Sequence, residues 1–228
     1  MFAKKYQGQP VDLQGHMLFG EPDLREFCAC VPDQSYYCIE VDIINRISMN
    51  EDGYFDFTKD MIDVGAGIGE YPCILPFNHN YIFEPDKRRL WMCHANLLNH
   101  NKWDNSTTYQ MALSDGEGMV TIMENSTVTY KNVDAKTLDS YNLTNIGFIK
   151  IDVEGFEEQV IRGGIKTIIE NNFPPILFEC WPVGYTGGAD MPRMTQENKD
   201  RLFSLLETFG YEVLECWGDW ETHLAVHK

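Results

Sequence analysis

Strand and helix signals alternate along most of this 228-residue chain, and that alternation constrains its fold more than any other feature. MIDV (61–64) is a short apolar run ended by glycines, and YIF (81–83) is a second, stopped at Glu84-Pro85. Asp86 can cap a helix reaching about Asn99, with Leu90, Cys93, Leu97 and Leu98 on its apolar side. TTYQMAL (107–113) reads as a strand, and MVTIM (119–123) with TVTY (127–130) reads as a hairpin turning at Glu124-Asn125-Ser126. The strongest strand signal is IGFIKIDV (146–153), followed by a helix over Glu157–Glu170 that Gly163-Gly164 interrupts. ILFEC (176–180) is the next strand, followed by a Gly-rich loop from Pro182 to Pro192. Thr195 can open a helix through Phe209 that buries Leu202, Leu205, Leu206 and Phe209, with Gly210 ending it. Strands alternating with helices of roughly 10–15 residues imply an α/β domain with a mostly parallel sheet. The last two strands, YEVLEC (211–216) and THLAVH (222–227), share a short turn at Gly218-Asp219 and must run antiparallel, because a parallel pair needs a long crossover.

The first 34 residues hold no sustained period and read as an extension, whereas Tyr37, Val41, Ile44 and Ile47 share one helical face. This divides the chain into residues 1–56, an extension with one helix, and residues 57–228, the main domain. With 18 basic against 35 acidic residues the formal charge is −17, which argues against a partner bound through phosphates. The seven cysteines cannot all pair within one chain, and most lie in apolar runs where a thiol acts as a small hydrophobe. Cys28-Ala-Cys30 has no second pair at zinc-binding spacing, and His94 and His100 are six apart, so these residues mark no metal site; a divalent metal at Asp152 and Glu154 is compatible with the chemistry but not required. The N-terminus lacks the apolar core of a signal peptide, and no run approaches membrane-spanning length. These features predict a soluble, cytoplasmic protein with neither membrane nor nucleic acid as a partner; they do not set the oligomeric state.

Three constellations carry chemistry. Asp63-Val64-Gly65-Ala66-Gly67-Ile68-Gly69 follows a strand directly, and glycines there let the backbone turn tightly and approach a ligand. The spacing is Gly-x-Gly-x-Gly, one position short of the dinucleotide fingerprint. Glu84 ends the second strand 21 residues after Asp63, and adjacent parallel strands place their carboxyl ends side by side. A carboxylate there can accept both hydroxyls of a ribose. The pair reads as an adenosine site with little demand for phosphate neutralisation, which suits the cationic sulfonium of S-adenosylmethionine. The third constellation is Lys150-Ile151-Asp152-Val153-Glu154-Gly155, where alternation puts Lys150, Asp152 and Glu154 on one face. Three ionisable groups at the end of a central strand are costly to bury without use or pairing.

DVGAGIG (63–69), FEP (83–85), KTLDS (136–140), KIDVEGFE (150–157), VIRGG (160–164) and ILFE (176–179) together resemble the FkbM family of S-adenosylmethionine-dependent methyltransferases. The resemblance covers about residues 61–181. It implies a Rossmann-like class I methyltransferase fold: a mostly parallel seven-stranded sheet with an antiparallel last strand, helices on both faces, and methyl transfer to a hydroxyl of a sugar, glycan or small natural product. Carried over by position, Asp63, Gly65, Ala66, Gly67 and Gly69 would hold the methionine part, and Glu84 and Pro85 the ribose. Met111, Ala112 and Ser114 would lie beside the adenine. Asp152, Glu154 and Lys150 would serve the acceptor, with Asp152 as proton acceptor, Glu154 orienting substrate and Lys150 fixing their charges. The family commonly has Asn at the position of Gly67, and Pro72 and Pro76 shorten the first helix.

An NAD-dependent oxidoreductase and a non-catalytic nucleoside-binding module are the alternatives. The loop spacing and the lack of a proton-relay motif disfavour the first; a turnover assay separates the second. From the charge alone, the protein should show no salt-sensitive binding to generic duplex DNA or RNA. A gel shift at about micromolar protein that disappears with added salt would contradict this expectation.

Overall fold

The computed structural model describes residues 9–13, 16–20, 43–124, 129–184, 195–215 and 221–228. An antiparallel hairpin, β1 (Gln9–Leu13) and β2 (His16–Gly20), precedes helical residues 43–49, here α1. The chain then runs through β3 (Asp60–Val64), α2 (Glu70–Ile74), β4 (Asn80–Phe83), α3 (Lys87–Asn99) and β5 (Ser106–Tyr109). Next come β6 (Ala112–Leu113), β7 (Gly118–Glu124) and β8 (Thr129–Lys136), then β9 (Ile146–Ile151), α4 (Glu157–Arg162) and α5 (Ile165–Glu170). The chain closes with β10 (Ile176–Glu179), α6 (Gln196–Thr208), β11 (Tyr211–Glu215) and β12 (Thr222–His227).

Seven strands form the main sheet in the order β11-β12-β10-β9-β3-β4-β5. β9, β3, β4 and β5 pair parallel, as do β10 and β9, whereas β12 is antiparallel to both β10 and β11. This is the Rossmann-like arrangement expected from the sequence, with the antiparallel last strand inserted between β10 and β11.

Alternating side chains feed two cores. Ile62, Val64, Ile149, Ile151, Ile176 and Phe178 meet Val160, Ile161, Ile168, Leu202 and Leu206 of α4, α5 and α6. Met61, Phe148, Leu177 and Leu224 face the other way, toward Ile43, Ile44 and Ile47 of α1 and Tyr71 of α2. Phe148 stacks on Phe77 at 5.4 Å and meets Phe55 edge-on at 5.3 Å. Each such fully buried side chain contributes about 1.5–3 kcal/mol relative to exposure. The helical face read from Tyr37 onward therefore docks on the sheet through Ile44 and Ile47; residues 37–42 lie outside the described part.

The helix starts follow their caps. The Asp86 carboxylate accepts the N–H groups of Arg88 (2.7 Å) and Arg89 (3.0 Å), and the Thr195 hydroxyl accepts that of Asn198. At the end of α6, Gly210 adopts φ +82°, the left-handed turn that stops a helix.

Five sequence expectations are corrected. The strand over 107–113 is two: β5 joins the main sheet, while Ala112–Leu113 pairs with β8 in a separate three-stranded sheet ordered β6-β8-β7. Tyr109 stacks on Phe83 at 4.7 Å and its carbonyl accepts Glu84 N–H, which closes the ladder; Ser114 N–H then donates to the Lys136 carbonyl. β9 stops at Ile151, short of Val153: Asp152 N–H makes the last ladder bond, to the Val64 carbonyl, and Glu154 then turns left-handed at φ +58°. The alternation that placed Glu154 on one face with Lys150 and Asp152 ends there. Leu98 is 45% exposed, one residue past the buried stripe of Leu90, Cys93 and Leu97. Leu205 and Phe209 are only half-buried, at the edge of the α6 contact. The hairpin of β7 and β8 forms, but β8 runs on to Lys136, past the Tyr130 end that the sequence suggests, because its far half pairs with β6 and the start of β7. Its turn at 125–128, the loop over 185–194, the Gly218-Asp219 turn and Cys28, Cys30, Cys38 and Cys216 lie outside the described residues.

Ile47 has no exposed surface and anchors α1 to the sheet. Ile47→Ala should destabilise the protein by about 2–5 kcal/mol, read as a lowered urea midpoint. A loss under about 1 kcal/mol would mean that α1 adds little to the core.

Candidate active site

At the carboxyl end of β3 the chain turns through three left-handed glycines, Gly65, Gly67 and Gly69, at φ +72°, +55° and +83°. Gly65 and Ala66 both donate their N–H groups to the Phe83 carbonyl, at 2.9 and 3.2 Å, which ties the loop to the neighbouring strand. A Cβ on Gly65 would collide with the Asp152 carbonyl oxygen, and one on Gly69 would lie 2.7 Å from Cys93 Sγ. The glycines are therefore needed for close approach as well as for conformation. The five-residue α2 that follows is short, as Pro72 and Pro76 predict.

Glu84, at the end of β4, faces this loop as the strand geometry required. It is buried; Oε2 accepts Gly67 N–H at 2.8 Å and Oε1 accepts Asp86 N–H at 2.7 Å. A carboxylate oxygen carries two lone pairs and can accept a ligand's hydroxyl groups as well as main-chain N–H groups. Pro85 is half-buried beside it.

Lys150 joins the first and third constellations. Its Nζ donates to the Gly65 carbonyl at 3.0 Å, lies 3.5 Å from Asp63 Oδ1 and 3.3 Å from Asp152 Oδ2, and sits 5.4 Å from the Tyr71 ring centroid. Asp63 is fully buried, and neither carboxylate oxygen has a hydrogen-bond partner. Burial pushes the Asp63 carboxyl above its usual range; Lys150 opposes this and Asp152 adds to it. Asp152 keeps 43% of its side chain exposed, so it is both ion-paired and open to solvent. Glu154 is exposed on the next turn.

Two carboxylates here escaped the sequence analysis. Glu157, 2% exposed, accepts the N–H groups of Val153 and Gly155 on one oxygen, both at 3.1 Å. Burial pushes it up to about 7, with hydrogen bonds from its own N–H, Gly155 and Val153 opposing and Asp152 adding. Glu179 ends β10, where Phe178 pairs with Ile151 and so sets Glu179 level with Asp152. Its Oε2 is buried with no hydrogen-bond partner, and burial followed by Asp152, Glu154 and Glu157 holds its carboxyl well above the usual range. The signals existed: Glu157 follows Glu154 by three residues at a helix start, and Glu179 ends the strand after the Asp152 strand. Among the described residues, no group of three or more His, Cys, Asp or Glu is arranged to hold a metal ion.

The proposed adenine residues are less well gathered. The Tyr109 carbonyl accepts Glu84 N–H, so the chain enters half-buried Met111 beside the ribose residue. Ala112 and Ser114 are buried in the small sheet rather than at the end of β5. Ser114 also lies against Gly163, where a Cβ would strike its carbonyl oxygen.

The description "Methyltransferase FkbM domain" belongs to the family profile that matches residues 63–213. Among solved structures, the FkbM methyltransferase of Methylobacillus flagellatus KT superposes with TM-score 0.57 at 20% identity, over 89% of this chain and 52% of that one. The present chain thus spans about half the length of that relative. A Staphylococcus aureus protein, provisionally described as a caffeoyl-CoA O-methyltransferase, gives TM-score 0.54 at 15% identity over 90% of both chains. The precorrin 8W decarboxylase of Methanobacterium thermoautotrophicum gives 0.50 at 14% identity, over 82% of this chain and 89% of that one. At such identities the likeness establishes the fold. Comparison with curated proteins found no match.

The residues present fit S-adenosylmethionine: a left-handed glycine cradle, a buried acceptor at Glu84 and an unsatisfied carboxylate at Asp63. Glu84→Ala should weaken S-adenosylmethionine binding by about 2–4 kcal/mol in calorimetry. Unchanged affinity in a folded variant would remove Glu84 from the ribose site. With residues 63–213 matched and the glycine loop, Glu84 and Lys150 assembled at the carboxyl end of the inner strands, the chain belongs to the S-adenosylmethionine-dependent FkbM methyltransferase family.

Proposed function

We propose that this protein transfers a methyl group from S-adenosylmethionine to a hydroxyl oxygen of a sugar, glycan or small natural product. The observation that carries this reading is the placement of Asp152: half-exposed, 3.3 Å from Lys150, with its carbonyl oxygen packed on Gly65 of the cofactor loop. A carboxylate is thereby held where loop and strand end meet. The bound cofactor supplies an electrophilic methyl group on a sulfonium. The protein's part is to align an acceptor oxygen with that carbon and take its proton, gains that come from positioning and general base catalysis. Asp152 receives the proton, Lys150 at 3.3 Å holds its carboxylate in place, and exposed Glu154 binds another donor group of the acceptor. Glu84 and the glycine loop hold the nucleoside.

A reducing, cytoplasmic setting belongs to the same proposal, supported by the free and buried thiols of Cys73, Cys93 and Cys180. Among the described residues, no helix is long and apolar enough to cross a membrane.

Asp152→Asn should keep S-adenosylmethionine binding within about three-fold while lowering kcat by about 10²–10⁴, the range for removing a general base. Glu154→Gln should act on acceptor KM. These are measured with the acceptor that a glycan and small-molecule panel identifies. Near-normal kcat in Asp152→Asn with kcat abolished in Glu154→Gln would reverse the two roles. Loss of cofactor binding in both would make the segment structural, and no turnover across the panel would favour a binding module.

A further inference from the structure

The stretch from Val153 to Gly155, which carries Glu154 and follows Asp152 directly, lies beyond the sheet. β9 ends at Ile151; Asp152 N–H reaches the Val64 carbonyl at 2.9 Å, and beyond that point the main-chain ladder stops. The next residues turn through left-handed backbone, Glu154 at φ +58° and Gly155 at φ +99°. For a residue with a side chain, such as Glu154, that conformation costs about 1–2 kcal/mol and persists only where its surroundings enforce it. The turn leaves Val153 and Gly155 N–H groups pointing the same way, the concave donor pair that recruits an anion. Both converge on one atom, Oε1 of Glu157, at 3.1 Å each. Glu157 is the first residue of α4, which packs on the sheet through Val160 and Ile161, so its side chain is anchored to the core.

We propose that Glu157 is the positioning residue of the active site: it clamps the Asp152–Gly155 turn and thereby sets where the Asp152 and Glu154 carboxylates point. The claim concerning Asp152 rests on the methyl-transfer reading above. The hydrogen bonds are acceptor bonds to a single oxygen, so the clamp needs an oxygen at that place rather than a negative charge. A proton on Glu157 would occupy the other oxygen and leave Oε1 free to accept. Glutamine presents the same oxygen; alanine presents none.

The test compares Glu157→Gln with Glu157→Ala in the full chain, by amide hydrogen exchange at Val153 and Gly155 in the ligand-free protein, and by kcat, acceptor KM and S-adenosylmethionine Kd. The Gln variant should keep both amides protected and kcat within about three-fold. The Ala variant should lose protection at both amides and about 10–100-fold in kcat, with cofactor Kd within about three-fold, as expected for misplacement of a reacting group by about an ångström. Unchanged protection in Glu157→Ala overturns the clamp, as does a Gln variant that falls as far as the Ala variant. Lost protection with unchanged kcat overturns the positioning role. If Glu157→Ala does not fold, the Gln variant decides: retained protection and kcat support the clamp, and loss of either refutes it. Because exchange is read without turnover, failure of the clamp is distinguishable from failure of Asp152 as base, which Asp152→Asn reports separately.

Discussion

The Lys150 ammonium is the interaction on which the rest of the site depends. It reaches the main chain of the glycine loop through Gly65, the buried carboxylate of Asp63 on β3 and the half-open carboxylate of Asp152 beyond β9. Of the two carboxylates, Asp63 is shut off from solvent, and removing one partner of a buried ion pair leaves an uncompensated charge that costs several kcal/mol. Lys150 is therefore constrained from three directions, and the loop and catalytic turn are constrained through it. Among the described carboxylates of this corner, Asp63 is closed off while Asp152 and Glu154 face solvent.

Around that cation the sheet supplies the scaffold. Parallel register puts Asp63 opposite Lys150 and Val64 opposite Ile151, so the carboxyl ends of β3 and β9 stop level with one another. β4 lies on the other side of β3 and brings Glu84 to Gly67. Ligand sites in open α/β sheets lie beyond the carboxyl ends of the strands, and the residues gathered here follow that rule. The solved structures that share this fold are described with quite different chemistries, so the architecture by itself does not choose a reaction.

Much of this was legible in the sequence because its signals are local. The glycine run, the Asp86 cap, the Gly163-Gly164 break and the alternation in IGFIKI each specify a conformation from a few adjacent residues. What escaped depended on contacts between distant segments. Whether Met111 and Ala112 continue β5 is decided by Phe83 stacking on Tyr109 and by Lys136 receiving Ser114, neither of which any window around residue 110 contains. The end of β9 is set by a left-handed glutamate, a conformation that side-chain periodicity does not report. Glu157 and Glu179 looked like ordinary helix-start and strand-end acids until the register placed them beside Asp152.

The order of the strands bears on how the protein comes to be active at all. The hydrogen bond from Lys150 to Gly65 joins residues 85 positions apart, and β12, the last strand in the chain, lies between β10 and β11. Pairings of such long sequence separation are slow to form, because the chain must close large loops before any contact rewards it. During synthesis the glycine loop emerges long before its lysine, so the buried Asp63 carboxylate cannot settle until β9 has docked. Assembly of the corner around Lys150 is thus a late event in folding, because the glycine loop and the end of β9 meet only once the sheet has closed between them.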